Sequence, residues 1–516
     1  MSETAIVRHE PVPQRSAKSI AKVRELLSID ARSLGLLRIG LATLVLVDLI
    51  QRAGDLQAHY TDFGVLPSWA TPHILSYHPF HWSLHLASGS WQWQAFLFVV
   101  AGVAAIAMLA GYQTRWATLI TWALLVSLHT RHPLVLNGGD HLLRMLLFWS
   151  IFLPTGMRFS LDRRFSQPSS PPQAVFSAAT AAIMLQLCLM YWVSAATKTD
   201  VQWTETRWAL YYALNIDQIS TSFAKWLLGF PEFLRWLTAA TLWLEWWGPV
   251  LLFIPFYTAR IRTLVILLFV GFHLGIGCCM ELGLFPWICL VGWSVFLPGS
   301  VWDRLEKAIP LRSKSTSPPH SGSGSPAQAK FRTPLGINIL VTALAVYVLI
   351  FSLQVVYPQR FAWFDQRWKS VGYTLGLEQR FDLFAPKPTI IDGWFVAVAT
   401  LEDGSQVDLL QGGDAVRWEK PQMLSARYPN GHWGAYMFFL KEPKEAATVH
   451  RPFYVEYLKR AWRQARGGQN KIQKVELYLV LEQTLPYPQV PKPERILLFR
   501  DKPRYDRVNY FQGPMP

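Results

Sequence analysis

The chain has 516 residues, of which 51% are hydrophobic and 16% charged, well under the roughly 25% charge usual in soluble domains. Aromatics reach 14% with 24 tryptophans, a composition suited to helix ends at headgroup depth, while a mean hydropathy of +0.18 requires a sizeable soluble part as well. Net charge is +15 and the pI about 9.6; Lys and Arg gathered in cytoplasmic loops account for this better than nucleic-acid binding, so no nucleic-acid partner is expected.

Residues 1–33 form a polar, basic segment with no apolar core or small-residue cleavage site, so a signal peptide is not expected there. Nine apolar stretches follow, near 34–50, 94–111, 115–131, 141–157, 174–196, 234–256, 261–280, 284–298 and 335–356. Each approaches the length needed to cross about 30 Å of hydrocarbon, the eighth being short. Between the third and fourth, HTRHPLVLNGGD carries Pro and a Gly pair, which mark a turn. With the N-terminus in the cytoplasm, inner loops hold about three Lys or Arg for each outer one, as the positive-inside rule requires. The expected fold is therefore a polytopic α-helical membrane protein of about nine transmembrane helices, N-in and C-out.

The transmembrane domain takes residues 34–298, and a Ser/Pro/Gly-rich cytoplasmic linker without apolar periodicity takes 299–333. A last transmembrane helix at 334–356 leads into an extracytoplasmic, β-rich α+β domain over 357–516. There GWFVAVAT (393–400), the turn EDGS and QVDLL (406–410) read as a β-hairpin. VELYLVLEQ (475–483) and ERILLFR (494–500) read as further strands, and RPFYVEYLKRAWRQ (451–464) as an amphipathic helix.

Several residues are candidates for chemistry. In the first outer loop His73, His78, His81 and His85 include three at helical spacing, so a metal site is conceivable. No carboxylate or cysteine completes the set, and an aromatic-rich interfacial helix is the simpler reading, with no metal assigned. LNGGDHLLRML carries Asp140, His141 and Arg144, where an Asp–Arg pair four residues apart and a helix cap are the structural alternative. Lys198 lies past the fifth apolar run; it is either an interfacial anchor or, desolvated by Trp192 and Trp203 and paired with Asp200, a usable base. Glu245 and His273 fall inside apolar runs, where an ionisable group is costly and is a site hypothesis or a buried polar contact. Cys188, Cys278, Cys279 and Cys289 all lie in apolar stretches, which excludes a disulfide scaffold in the soluble part.

The stretches ATKTDVQW, GGDHLLR and FHLGIGCCMELGLFPW (272–287), followed by FDLFAPKP (381–388), resemble the HTTM family, which is similar to vitamin K-dependent gamma-glutamyl carboxylase. The resemblance covers most of residues 30–500. It implies that Lys198 matches the base that deprotonates vitamin K hydroquinone, with Asp200, Trp203 and His141 at matching positions. Thr197 and Asp140 depart from the carboxylase, which has Lys and Asn there. A reduced quinone as cosubstrate and a protein or peptide substrate at the outer domain are what the resemblance implies. Three readings stand: an enzyme with Lys198, Asp200 and His141 as catalytic groups and Asp140, Arg144, Trp203, Glu245 and His273 around them; a non-catalytic scaffold or lipid-binding protein; and a proton-coupled transporter using Glu245 and His273.

Overall fold

The computed structural model describes residues 14–71, 81–165, 172–308, 331–467, 471–486, 489 and 492–501. Its longer helices are α1 (Ala31–Gly54), α2 (Trp91–Ala110), α3 (Thr114–Arg131), α4 (Gly138–Ser150), α5 (Ala178–Thr197), α6 (Pro231–Leu251), α7 (Thr258–Cys279), α8 (Phe285–Trp293) and α9 (Leu335–Val356). By length and composition α1, α2, α5, α7 and α9 are five candidate membrane spans. A sixth arises if Phe285–Phe296 and Gly299–Ala308, bent by 101° at their junction, count as one. The other long helices fall short for physical reasons: α4 has 13 residues, and α6 carries Glu232, Arg235 and Glu245.

Side chains at Leu37, Leu41, Leu142, Leu146, Ile183 and Leu187 fill the middle of the helical region. Close helix approach there depends on small residues: a Cβ at Gly40 of α1 would stand 2.7 Å from the Val291 methyls of α8. Apolar side chains face outward along α2 at Phe96, Val99, Val103 and Ile106, a helical stripe expected of a surface in contact with lipid.

The C-terminal domain holds β1 (Ile391–Leu401), β2 (Gln406–Asp408), β3 (Asp414–Ala415), α10 (Gly431–Lys441), α11 (Glu445–Ala465), β4 (Ile472–Gln483) and β5 (Glu494–Arg500). The strands form one antiparallel sheet in the order β3–β2–β1–β4–β5. Central β1 is buried on both faces. Phe395, Ala397 and Ala399 pack toward α10 and α11, whereas Trp394, Val396 and Val398 pack with Leu424 and Val480, the two-residue period of a strand. The expected later strands, the helix and the first hairpin strand lie within these elements; of the second, 406–410, only Gln406–Asp408 is strand, and Leu409–Gln411 form a 3-10 turn.

This domain is joined to the membrane region. Ala58, Val65, Leu66 and Val135, from segments between the long helices, belong to the same apolar cluster as Phe395, Tyr436 and Leu477. Asp55 accepts hydrogen bonds from Asn430 Nδ2 at 2.5 Å and Trp433 Nε1 at 2.9 Å, and Arg460 donates to the carbonyls of Phe63 and Gly64.

Two expectations change. Residues 299–308, read as linker, form a helix carrying Val301, Trp302 and Leu305; the rest of the Ser/Pro/Gly tract, 309–330, lies outside the described residues. His73 and His78 also lie outside them. His81 and His85 do not share a helix face: only Leu84–Leu86 is helical, as a single 3-10 turn. His85 Nδ1 instead meets Gln94 Oε1 at 2.6 Å, and burial brings its imidazole down to about 4. Among the described residues of this loop, His85 is thus engaged by Gln94.

Candidate functional site

Lys198 is no surface anchor. Helix α5 begins at a reciprocal cap between Ser177 and Thr180 and ends at Lys198, whose backbone N–H donates to the Ala195 carbonyl. The side chain then runs back along the helix and is 4% exposed. Nζ donates to Ser194 Oγ at 2.9 Å and to both Glu245 oxygens at 2.6 and 2.5 Å. Ser194 Oγ in turn donates to Glu245 Oε1 at 3.3 Å. The indole of Trp203, its centroid 4.7 Å from Nζ, covers the ammonium and is anchored by Nε1 on the Phe384 carbonyl. An ammonium has three donors, and here two oxygens of one carboxylate and a hydroxyl take them up. Trp192 borders this region with Nε1 on the Trp246 carbonyl.

The partner differs from the expected one. Asp200 does not pair with Lys198. Its carboxylate accepts the Gln202 amide as the cap of a short helix, Val201–Thr204, and lies 3.8 Å from Lys387 Nζ. The reason is local: past the end of α5 the chain turns, and free amides at the next helix start compete for the nearest carboxylate. Glu245 sits on the buried face of α6 against α5, where an unpaired carboxylate would be costly, and Lys198 supplies the counter-charge.

Asp140 and Arg144 do not pair with each other either. Asp140 Oδ2 accepts the Asn137 amide in the cap of α4, while Oδ1 accepts Arg52 Nη2 at 2.5 Å. Arg52 also donates from Nε to Asp48 Oδ2 at 2.7 Å and from Nη1 to Tyr60 Oη at 2.9 Å. The other Asp48 oxygen is 3.3 Å from His432 Nε2, contributed by α10 of the C-terminal domain. Arg144 points elsewhere, to the carbonyl and carboxylate of Glu378, and its Nη2 lies 3.1 Å from His141 Nδ1. Burial raises the Glu378 carboxyl above its ordinary range, with Arg144 pulling the other way.

His273 forms a third group. Its Nε2 is 2.6 Å from Tyr191 Oη, which accepts a hydrogen bond from Trp293 Nε1. Tyr191, Ser194 and Lys198 are three and four residues apart, so α5 presents this group and the Lys198 pair on one face. Among the described residues no hydrogen bond or ion pair joins Lys198 to Asp140 or His141. The expected site is thus divided, with Lys198, Glu245 and Trp203 together and Asp140 in a separate cluster.

Beside α6 an open apolar groove of about 790 Å³ is lined by Leu210, Trp226, Phe233, Leu237, Thr241 and Phe272. Thr241 stands one helical turn from Glu245 on the buried face of α6. The volume and lining match a site for a lipid-soluble molecule.

Sequence reasoning missed Asp48, Arg52, Ser194 and His432. Asp48 and Arg52 carried a usable signal, two opposite charges four residues apart inside an apolar run. His432 carried none, because its partner is hundreds of residues earlier.

No curated protein and no solved structure matches the chain. The sequence model of the HTTM domain matches residues 27–302, more than half of the 516 residues. The chain belongs to the HTTM-domain family, which is related to vitamin K-dependent gamma-glutamyl carboxylase.

Proposed function

We propose that this HTTM-domain membrane protein is an enzyme in which the Lys198–Glu245 pair exchanges a proton with an acidic, lipid-soluble cosubstrate, a reduced quinone being the chemistry that fits. The observation carrying the reading is the pair itself: an amine and a carboxylate within 2.6 Å, both buried, one turn of α6 from an open apolar groove. With their shared proton on Glu245, Lys198 is a neutral amine. It then accepts a hydroxyl proton from the cosubstrate: the O–H bond breaks, an N–H bond forms, and the new ammonium holds the oxyanion. Trp203 stabilises that ammonium across its ring face. Ser194 orients Nζ from the preceding turn. Asp200 and His141, engaged with other partners, are positioning groups for the neighbouring turn and for Arg144.

In the same reading the C-terminal sheet domain holds the protein or peptide that the activated cosubstrate modifies. The chain crosses a bacterial inner membrane nine times with that domain outside, a topology supported by the excess of Lys and Arg in the inner loops. Reporter fusions after residue 356 that are active only in the cytoplasm would refute it.

A second reading treats the pair as a tie between α5 and α6, favoured because Lys198 engages both Glu245 oxygens. The resemblance implies that the deprotonated quinol is then oxygenated, so quinol-dependent oxygen uptake by purified protein separates the two. The enzyme reading expects uptake that is lost in Lys198→Ala and in the double variant Lys198→Met with Glu245→Gln, the latter keeping expression and monodispersity. Full uptake in Lys198→Ala would sink it.

A further inference from the structure

We infer that Asp48, Asp140 and His432 form a binding site for a divalent first-row transition metal, at the junction of the helical region and the C-terminal domain. One potential ligand atom from each lies within 4.8 Å of the other two, and all three residues are buried. Metal bonds of about 2.0–2.2 Å place tetrahedral ligand atoms ~3.4 Å apart, so a small inward movement of side chains completes the set. Carboxylate oxygens with an imidazole nitrogen suit Zn²⁺, Fe²⁺ or Mn²⁺ over a thiolate-seeking ion.

Three further observations point to an occupant. The residues line a small, partly open cavity of about 10 Å³, with Gln51, Asn137, Leu143 and Ile288 also in its wall, room for one water-sized body. Next, His129 is 1% exposed and neither ring nitrogen has a hydrogen-bond partner, yet its Nε2 is aimed at Asp140 Oδ1 from 3.7 Å. A buried imidazole in that state lacks a partner which a metal-bound water would supply. Finally, two carboxylates share the single guanidinium of Arg52. Arg52 grips one oxygen of each carboxylate and fixes their orientation, the part that outer partners play around metal ligands.

The site spans the two regions of the chain, since Asp48 and Asp140 belong to α1 and α4 and His432 to α10. A bound ion would therefore fasten the C-terminal domain to the helices with directional bonds, in addition to the apolar contacts already present.

The test uses full-length protein purified in detergent, incubated separately with Zn²⁺, Fe²⁺ and Mn²⁺, desalted and assayed by plasma mass spectrometry. The expected result is one retained ion per wild-type chain, loss of that ion in Asp48→Asn and His432→Gln, and full retention in His450→Gln, a buried histidine outside the triad. If Asp48→Asn fails to fold, His432→Gln carries the test, because the glutamine amide can still donate to Asp48. The inference is overturned if folded wild type retains none of the three ions, or if His432→Gln retains them as wild type does.

Discussion

Replacing Glu245 by Gln should destabilise the protein, and replacing Lys198 by Met in the same chain should restore it. At 2.6 Å and an effective dielectric of about 20, the attraction between the two charges is ~6 kcal/mol. Desolvation costs several kcal/mol for each ion, so the intact pair contributes little net stability. Removing only the carboxylate leaves an ammonium 4% exposed with Ser194 and the Trp203 face as its remaining partners, at a cost of about 3–5 kcal/mol. Met at 198 and Gln at 245 keep the volumes and remove the charge, returning the cost to within about 1–2 kcal/mol of wild type. Tryptophan fluorescence during heating in detergent is the assay, with Trp203 and Trp192 beside the pair as reporters. The double variant should melt above Glu245→Gln and near wild type. If Glu245→Gln melts with wild type, or the two changes add, the charges do not depend on each other and the pair assignment fails.

Acid should weaken the fold through its buried histidines. Burial lowers His85 and His450 to about 4, and His59 and His132 well below the ordinary value, so the unfolded chain binds more protons between about pH 4 and 6.5. Stability is complete above about 6.5 and falls with pH through that window, by roughly 3 kcal/mol for His85 alone; a flat melting temperature from pH 7 to 4.5 would contradict this. Asp55→Ala strands Asn430 Nδ2 and Trp433 Nε1 and should cost about 1–3 kcal/mol, read as faster proteolytic release of the C-terminal domain under native conditions. Gly376→Ala should cost at least about 1–3 kcal/mol, because φ is +60° there and the new Cβ would lie 2.6 Å from Val126 Cγ2; wild-type melting would refute the crowding.

Much of the fold was legible because its signals are local. Apolar runs located the helices, and alternation around Asp403–Gly404 located the hairpin that β1 and β2 form. Span count was less legible: α6 reads as apolar yet carries three charges, and a charged residue inside a helical bundle needs only one buried partner. Lys198 was legible as a candidate, but its partner was not. Asp200 is two residues away and Glu245 forty-seven, and tertiary packing of α5 on α6 decided between them. The Arg52 cluster was half legible, since Asp48 and Arg52 are neighbours on α1 whereas His432 reaches them only once α10 is docked.

The shared apolar cluster has a consequence for biogenesis. Ala58, Val65, Leu66 and Val135 leave the ribosome some three hundred residues before the strands whose core they complete. Until the sheet strands have been made, that loop surface is uncovered and a chaperone or the translocation machinery has a site to occupy. The sheet domain, synthesised after the helices, covers that surface. Produced alone, it would present the same surface from the other side, and its solubility would depend on finding a substitute for the loops it evolved to cover.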